Sequence, residues 1–196
     1  MIAVVVLAGG EGRRMGGGKP LRMLGGRSLI ERAVEQAQAW SSLVAVSVRQ
    51  DGQAGALAVP QILDEEGEGP IAGLASALRF VRDNGAETLL TIACDMPVLP
   101  ADLPQQLERA LTSDLGAAIA RSGHSLHPVC GLWRSAAIEA LGDYRASGRS
   151  SLRGFAAHIG SAEVEWPVQP YDPFLNVNRP EELEAAERLL HTFRNR

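Results

Sequence analysis

Between Leu7 and Pro20 the chain places six glycines and three bases, Arg13, Arg14 and Lys19, in one loop. Glycines let backbone N–H groups come close to a phosphate, and Arg and Lys supply the countercharge, so this composition suits the holding of a polyphosphate. The spacing matches no common phosphate motif. A P-loop would need a glycine where Arg13 stands and a magnesium-binding hydroxyl where Pro20 follows Lys19. A Rossmann G-x-G-x-x-G counted from Gly10 would end at Met15. The looser G-x-x-x-G-x-G is met by Gly12, Gly16 and Gly18. Lys19, the only lysine of the chain, has Met15 four residues before it, so the Tyr-x-x-x-Lys pair of short-chain dehydrogenases is absent. A glycine loop with solvated charges is the alternative reading.

Two carboxylates stand where chemistry is expected. Asp95 ends the apolar run Leu89-Leu90-Thr91-Ile92-Ala93-Cys94. A charge directly after a buried strand is costly unless it meets solvent, a donor or a cation. Mg2+ fits such a residue, because it is held by one or two carboxylates together with substrate phosphates and water; an Asp that opens the turn before Pro97 is the alternative. Asp64 follows a second apolar stretch and precedes Gly69-Pro70-Ile71-Ala72-Gly73. Its carboxylate can accept hydrogen bonds from a base or ribose, with the helix start at Gly69 packing against the ligand; an ordinary loop and helix start is the alternative.

The elements that must position these residues alternate. Ile2 to Ala8 is a β-branched run stopping at Gly9-Gly10, as a buried parallel strand does. Ser28 and Glu31 form an S-x-x-E capping box before Leu29, Ile30, Ala33, Val34 and Ala37, which share one helical face. Strands are expected at Leu43 to Val48, Ala58 to Leu63 and Thr88 to Ala93, with Pro60 suiting a strand start or an edge. A helix is expected after Gly69-Pro70. In the second half, helices are expected around Leu103 to Leu111 and Ala136 to Leu141, and strands at Ala117 to Ala120 and Val129 to Trp133. A last helix starts near Asn178, a candidate N-cap, with Pro180, Glu181 and Glu182 in its first turn. This rhythm predicts an α/β fold of three layers, a mostly parallel sheet with helices on both faces. In such sheets ligands bind beyond the carboxyl ends of the strands, where the glycine loop, Asp64 and Asp95 all fall.

Composition bounds the rest. With 196 residues, 45% of them hydrophobic, residues 1–196 are expected to form a single domain. The net charge of −4 lacks the basic excess of nucleic-acid binders, yet residues 1–30 carry five bases and one acid, a local +4 that leaves −8 for the remainder. No apolar run approaches the roughly 20 residues that span a bilayer. Residues 1–10 lack the basic n-region and full-length h-region of a signal peptide, so a cytoplasmic location without membrane or nucleic-acid partners is expected. Cys94 and Cys130 are too far apart for a CxxC motif and read as buried free thiols.

Taken in order, Leu7-Ala8-Gly9-Gly10, Arg14-Met15-Gly16, Lys19, Gly69-Pro70-Ile71-Ala72-Gly73, Cys94-Asp95-Met96-Pro97, His127-Pro128 and Phe174-Leu175-Asn176-Val177-Asn178 resemble one family, the molybdenum cofactor guanylyltransferases. The resemblance runs from about residue 3 to about residue 190. It implies a dinucleotide-binding-like nucleotidyltransferase fold and transfer of GMP from GTP to the terminal phosphate of molybdopterin, with release of pyrophosphate and Mg2+ as cofactor. It further implies molybdenum-insertion and molybdoenzyme-maturation proteins as partners. Carried over by position, the backbone at Leu7, Ala8, Gly9 and Gly10 holds the nucleotide. Lys19, with Arg13 or Arg14, neutralises its phosphates, Asp64 holds the nucleoside, and Asp95 binds Mg2+ and touches the nucleotide. His127, Asn176 and Asn178 are candidates for the pterin substrate, against structural roles as a packed histidine, a turn and an N-cap. Arg149 and Arg153 are candidates for the pterin phosphate, against a plain surface role. Three positions depart from the pattern. Gly18 stands where relatives often carry Asp, Ser47 (or Val48) where they carry a nucleotide-contacting Asn, and Ser150-Ser151 where they carry a basic pair. Other readings are a cytidylyltransferase for molybdopterin, a sugar-phosphate nucleotidyltransferase, and a carrier that binds nucleotide or cofactor without catalysis.

Overall fold

The computed structural model describes residues 1–10, 17–66 and 69–194. Its centre is a seven-stranded sheet made of β1 (Ile2–Leu7), β4 (Val44–Val48), β5 (Gln61–Leu63), β6 (Thr88–Ala93), β7 (Ala117–Ser122), β8 (Ser125–Arg134) and β9 (Ser161–Trp166). The spatial order is β5-β4-β1-β6-β8-β7-β9. β8 alone runs antiparallel to its neighbours β6 and β7; the other pairings are parallel, as expected of a mostly parallel sheet. A small hairpin, β2 (Met23–Leu24) with β3 (Arg27–Ser28), stands apart from it.

Helices cover both faces. α1 (Leu29–Trp40) and α3 (Leu103–Ala110) pack on one side, where Ile30, Val34 and Leu107 meet Val4, Val6, Val46 and Ile92. α2 (Pro70–Asp83), α4 (Ala137–Ala146) and α5 (Leu152–His158) pack on the other, where Leu74, Leu78, Tyr144 and Phe155 meet Val5, Leu89, Ile119 and Trp133. Alternate residues of β1 therefore face opposite cores and Ala3 to Val6 are all buried, so its run of valines does not alternate with polar residues. Two polar groups that this burial captures pair with each other: the indole N–H of Trp133 donates to the Thr91 hydroxyl at 2.9 Å. α6 (Pro180–Arg194) closes a third, smaller cluster of Leu24, Leu29, Val177 and Ala186.

Most expected elements are present, with differences at β5, α5 and β9 and an unexpected hairpin of β2 and β3. The strand expected from Ala58 contracts to Gln61–Leu63, because Pro60 cannot donate to the ladder and stands just before it. α5 and β9 arise in the stretch between Ser150 and Trp166, for which no element was expected. α5 is a short turn of helix capped by Ser151, whose hydroxyl accepts from the Gly154 N–H, and β9 pairs along β7 at the sheet edge. At α1 the capping box is complete, with Ser28 Oγ accepting from the Glu31 N–H and Glu31 accepting from the Ser28 N–H at 2.7 Å.

Candidate active site

Chain order steps outward from β1 to β4 and β5, then returns to the other side of β1 with β6. That reversal opens a crevice at the carboxyl ends of the strands. The register fixes what lines it. Leu7 lies between Ser47 and Ala93, and Val48 lies beside Leu63. The residues that leave the sheet side by side are therefore Ala8-Gly9-Gly10, Arg49, Asp64 and Cys94-Asp95. All of these but Ala8 line a cavity of about 170 Å3, to which Lys19, Gly69, Pro70, Gly73 and Val129 also contribute.

Lys19 reaches this cavity from a 3₁₀ turn, Lys19–Leu21, that begins after Gly18 in the left-handed region (φ 61°), a conformation glycine adopts without steric cost. Its side chain is largely buried and its ammonium donates to Asp95 Oδ2 and, at 2.6 Å, to Asn178 Oδ1. Among the described residues two of the three ammonium donors are thereby taken, and one is left to point at a ligand. Asp95 Oδ1 is buried and has no hydrogen-bond partner among the described residues. An anionic oxygen left this way calls for a cation or a donor. Among the described residues no three His, Cys, Asp or Glu side chains cluster as a metal cage, so a cation here would take Asp95 plus ligand oxygens, as Mg2+ commonly does.

On the opposite wall the Ser47 hydroxyl, fully buried, donates to Asp64 Oδ1, and the Asp64 N–H donates to the Val48 carbonyl at 2.8 Å. Ser47 therefore meets the cavity mainly through Asp64, which it orients; a direct nucleotide contact by its hydroxyl, expected from its position, would compete with this bond. Glycine at position 9 leaves room for Asp64: a Cβ there would stand 2.6 Å from Asp64 Oδ2 and would displace that carboxylate. At Gly73 a Cβ would meet Ser47 Oγ at 3.1 Å and Asp64 Oδ1 at 3.3 Å. The two glycines let β1 and α2 close around one carboxylate. Ala8 is buried outside the cavity, its carbonyl accepting from Gln53 Nε2 at 3.0 Å.

Other expected residues go elsewhere. Arg13, with Arg14, lies outside the described residues. His127 is not among the residues lining the cavity. It stacks on Phe174 with ring centroids 4.7 Å apart, and its Nε2 is 2.7 Å from the Ser122 hydroxyl. Burial holds its pKa below the ordinary value, the Asp172 carboxylate opposing in part. Asn176 is half-buried in the same segment and does not line the cavity. The Asn178 side-chain oxygen accepts from Lys19 and, among the described residues, from no helix-start N–H. Glu182 instead accepts from the N–H groups of Asn178 (2.6 Å) and Arg179 (3.1 Å), which frees the Asn178 amide for Lys19. Arg153, with Ser150 and Ser151, lines a second cavity of about 450 Å3 that shares Gly69, Pro70 and Val129 with the first. The guanidinium of Arg149 lies over the Tyr144 ring at 5.5 Å. Both cysteines are buried free thiols; burial first, then the Asp95 charge, pushes Cys94 up to about 12. The residue overlooked in the sequence is Arg49, a base directly after β4. The signal was available, since a charge following a buried strand is the same cue that marks Asp95.

A family model described as a MobA-like NTP transferase domain matches residues 4–162. A molybdenum cofactor guanylyltransferase of Cereibacter sphaeroides is 39% identical over 188 residues, covering 95% of this chain and 95% of its own. One from Rhodopseudomonas palustris (strain BisB5) is 37% identical over 193 residues, covering 94% and 92%. The crystal structure of molybdopterin-guanine dinucleotide biosynthesis protein A from Archaeoglobus fulgidus shares the fold, with a TM-score of 0.78 at 24% identity over 98% of this chain and 100% of that one. A family match that begins in β1 and ends in β9, and relatives matched nearly end to end, lead to one assignment: the chain belongs to the MobA-like NTP transferase family and is a nucleotidyltransferase.

Proposed function

We propose that this protein transfers GMP from GTP to the terminal phosphate of molybdenum-loaded molybdopterin, releasing pyrophosphate and forming the molybdopterin guanine dinucleotide. The observation that carries the reading is the meeting of the chain's only lysine with Asp95 at the mouth of the β1–β6 crevice, in a chain 39% identical to a named guanylyltransferase. The whole chain acts as one nucleotidyltransferase domain, in the cytoplasm, without nucleic-acid or membrane partners. Molybdenum-insertion and molybdoenzyme-maturation proteins are its partners in the cell.

Phosphoryl-type transfer asks mainly for alignment and charge neutralisation. An oxygen of the acceptor phosphate bonds to the α-phosphorus of GTP while the bond from that phosphorus to the α–β bridging oxygen breaks. The electron pair leaves with pyrophosphate. No protein nucleophile is required, because the acceptor phosphate is already ionised near neutral pH. The backbone at Leu7, Gly9 and Gly10 cradles the nucleotide, while Ala8, whose N–H and carbonyl are taken by Ser47 and Gln53, fixes the strand end beneath it. Lys19, held by Asp95 and Asn178, directs its remaining N–H at a phosphate oxygen, with Arg49, after β4, as a further base lining the cavity and Arg13 or Arg14 as candidates from the sequence. Asp64, set by Ser47, accepts from the nucleoside. Asp95 Oδ1 would hold a divalent cation, Mg2+ in our reading, which when bound offsets the phosphate charge. His127 acts indirectly, its stack on Phe174 fixing the segment that carries Asn176 and delivers Asn178. The second cavity beside Gly69, with Arg153 at its edge, is the place for the acceptor.

Asp95→Asn separates this from a binding role without catalysis. The variant is expected to fold and to lose transfer by about 10²-fold or more, the scale of removing one transition-state electrostatic group. Pyrophosphate release at the wild-type rate in this variant would refute the assignment of Asp95.

A further inference from the structure

Surface ion pairs such as Arg27 with Glu35 and Arg82 with Asp83 are more than half exposed and contribute little. One pair differs. Arg145, in the last turn of α4, donates from NH1 to Glu65 Oε2 at 2.6 Å and from NH2 to the carbonyl of Glu66. Glu65 is only 19% exposed, and its other oxygen accepts from Arg79 Nε of α2 at 2.8 Å. Arg145 thus bonds a side chain and a main-chain oxygen of one short segment, a geometry that fixes both position and direction. That segment directly follows Asp64 and leads to Gly69, where α2 begins.

We propose that Arg145 is a positioning residue for the nucleotide, clamping Glu65 and Glu66 so that the Asp64 carboxylate is held against Gly9 and Gly73. The inference rests on the reading that Asp64 holds the nucleoside. On its strand side Asp64 is fixed by Ser47 and by its N–H bond to Val48. On its other side the chain leaves the sheet, and Glu65 and Glu66 are the next residues that a side chain from the second half of the protein can hold. Arg145 is also close in sequence to the turn that forms the second cavity. Tyr144, its neighbour, donates to the Ser151 carbonyl at 3.0 Å, and Ser150 to Arg153 line that cavity. The donor loop and the acceptor-side turn are therefore tied to the same end of α4.

GTP binding measured by titration calorimetry with Mg2+, together with steady-state transfer, tests the clamp. Arg145→Met should raise both the Kd and the KM for GTP by about tenfold while kcat changes by less than about twofold, with Arg145→Lys intermediate. Combined with Asp64→Asn, the same change should add less than about twofold, because the two act as one unit. Unaltered GTP affinity in Arg145→Met, a full second loss on the Asp64→Asn background, or an Asp64→Asn variant that binds GTP normally would each overturn the clamp. Wild-type protein that binds no GTP would overturn the nucleotide reading itself and the clamp with it. Should Arg145→Met not fold, Glu65→Gln replaces it, with a weaker but measurable rise in KM expected and no change in KM contradicting the proposal.

Discussion

Lys19 is the residue on which the most depends. It is 8% exposed, and its ammonium is held by two acceptors before any substrate arrives. Lys19→Ala is expected to lower transfer by about 10²- to 10³-fold, the effect of losing one preorganised electrostatic group. Lys19→Arg should not restore it, since a planar fork cannot replace a compact ammonium between Asp95 and Asn178; recovery to near wild-type rates would contradict the proposed geometry. Burial also silences the thiols. With Cys94 pushed up to about 12 and Cys130 raised by the same cause, neither should react with a thiol reagent near pH 8 until the protein is unfolded, and rapid labelling of native protein would contradict this. Lys19, Asp64 and Asp95 were legible in the sequence because each interrupts an apolar or glycine-rich run with a charge. The side-chain destination of Asn178 was not: whether it caps α6 or turns to Lys19 depends on Glu182 reaching back to take the helix-start N–H groups. Arg145 was silent for a similar reason, its partners lying 79 and 80 residues away in sequence.

At the scale of elements, α1 was readable to its first residue because a capping box is local chemistry. Ser28→Ala is expected to lower stability by about 1 kcal/mol, read as a shift in a urea unfolding midpoint. The segment carrying Asn178 depends on non-local packing. Phe174 stacks on His127 and meets Trp166 edge-on at 5.4 Å, and the Val177 N–H donates to the Asp95 carbonyl at 2.8 Å. His127 titrates below its ordinary value in the folded state, so as pH falls through 6.5 the unfolded chain takes up the proton first. Stability present above that pH is therefore lost as pH drops toward the folded pKa. His127→Phe keeps a ring on Phe174 and removes the titration; between about pH 7.5 and 5 its Tm should fall less than that of the wild type, and equal falls would contradict the assignment. β9 alternates Ala162, Val164 and Trp166 with Glu163 and Glu165, the period of a half-buried strand. Its pairing was not legible, because it lies along β7 across the intervening β8, α4 and α5.

At the scale of the molecule, the alternation of strands and helices predicted three layers, and the sheet has them. Strand order and the single antiparallel strand β8 were beyond local pattern, since both follow from how distant segments share one hydrophobic face. That order is what turns a local excess of positive charge in the first 30 residues into a site. It sets the ends of β1, β4, β5 and β6 side by side, so a lysine from the first loop meets a carboxylate from the fourth strand of the order, with Asp64 opposite. α6 then completes the arrangement by packing with Leu24, Leu29 and Val177, joining the last helix to the hairpin beyond Lys19. The central claim is guanylyl transfer to molybdopterin, and paired turnover with the two competing nucleotides tests it most directly. With Mg2+ and molybdenum-loaded molybdopterin, GTP should yield pyrophosphate and the guanine dinucleotide in equal amounts while CTP yields neither; turnover of CTP with no product from GTP would contradict the account.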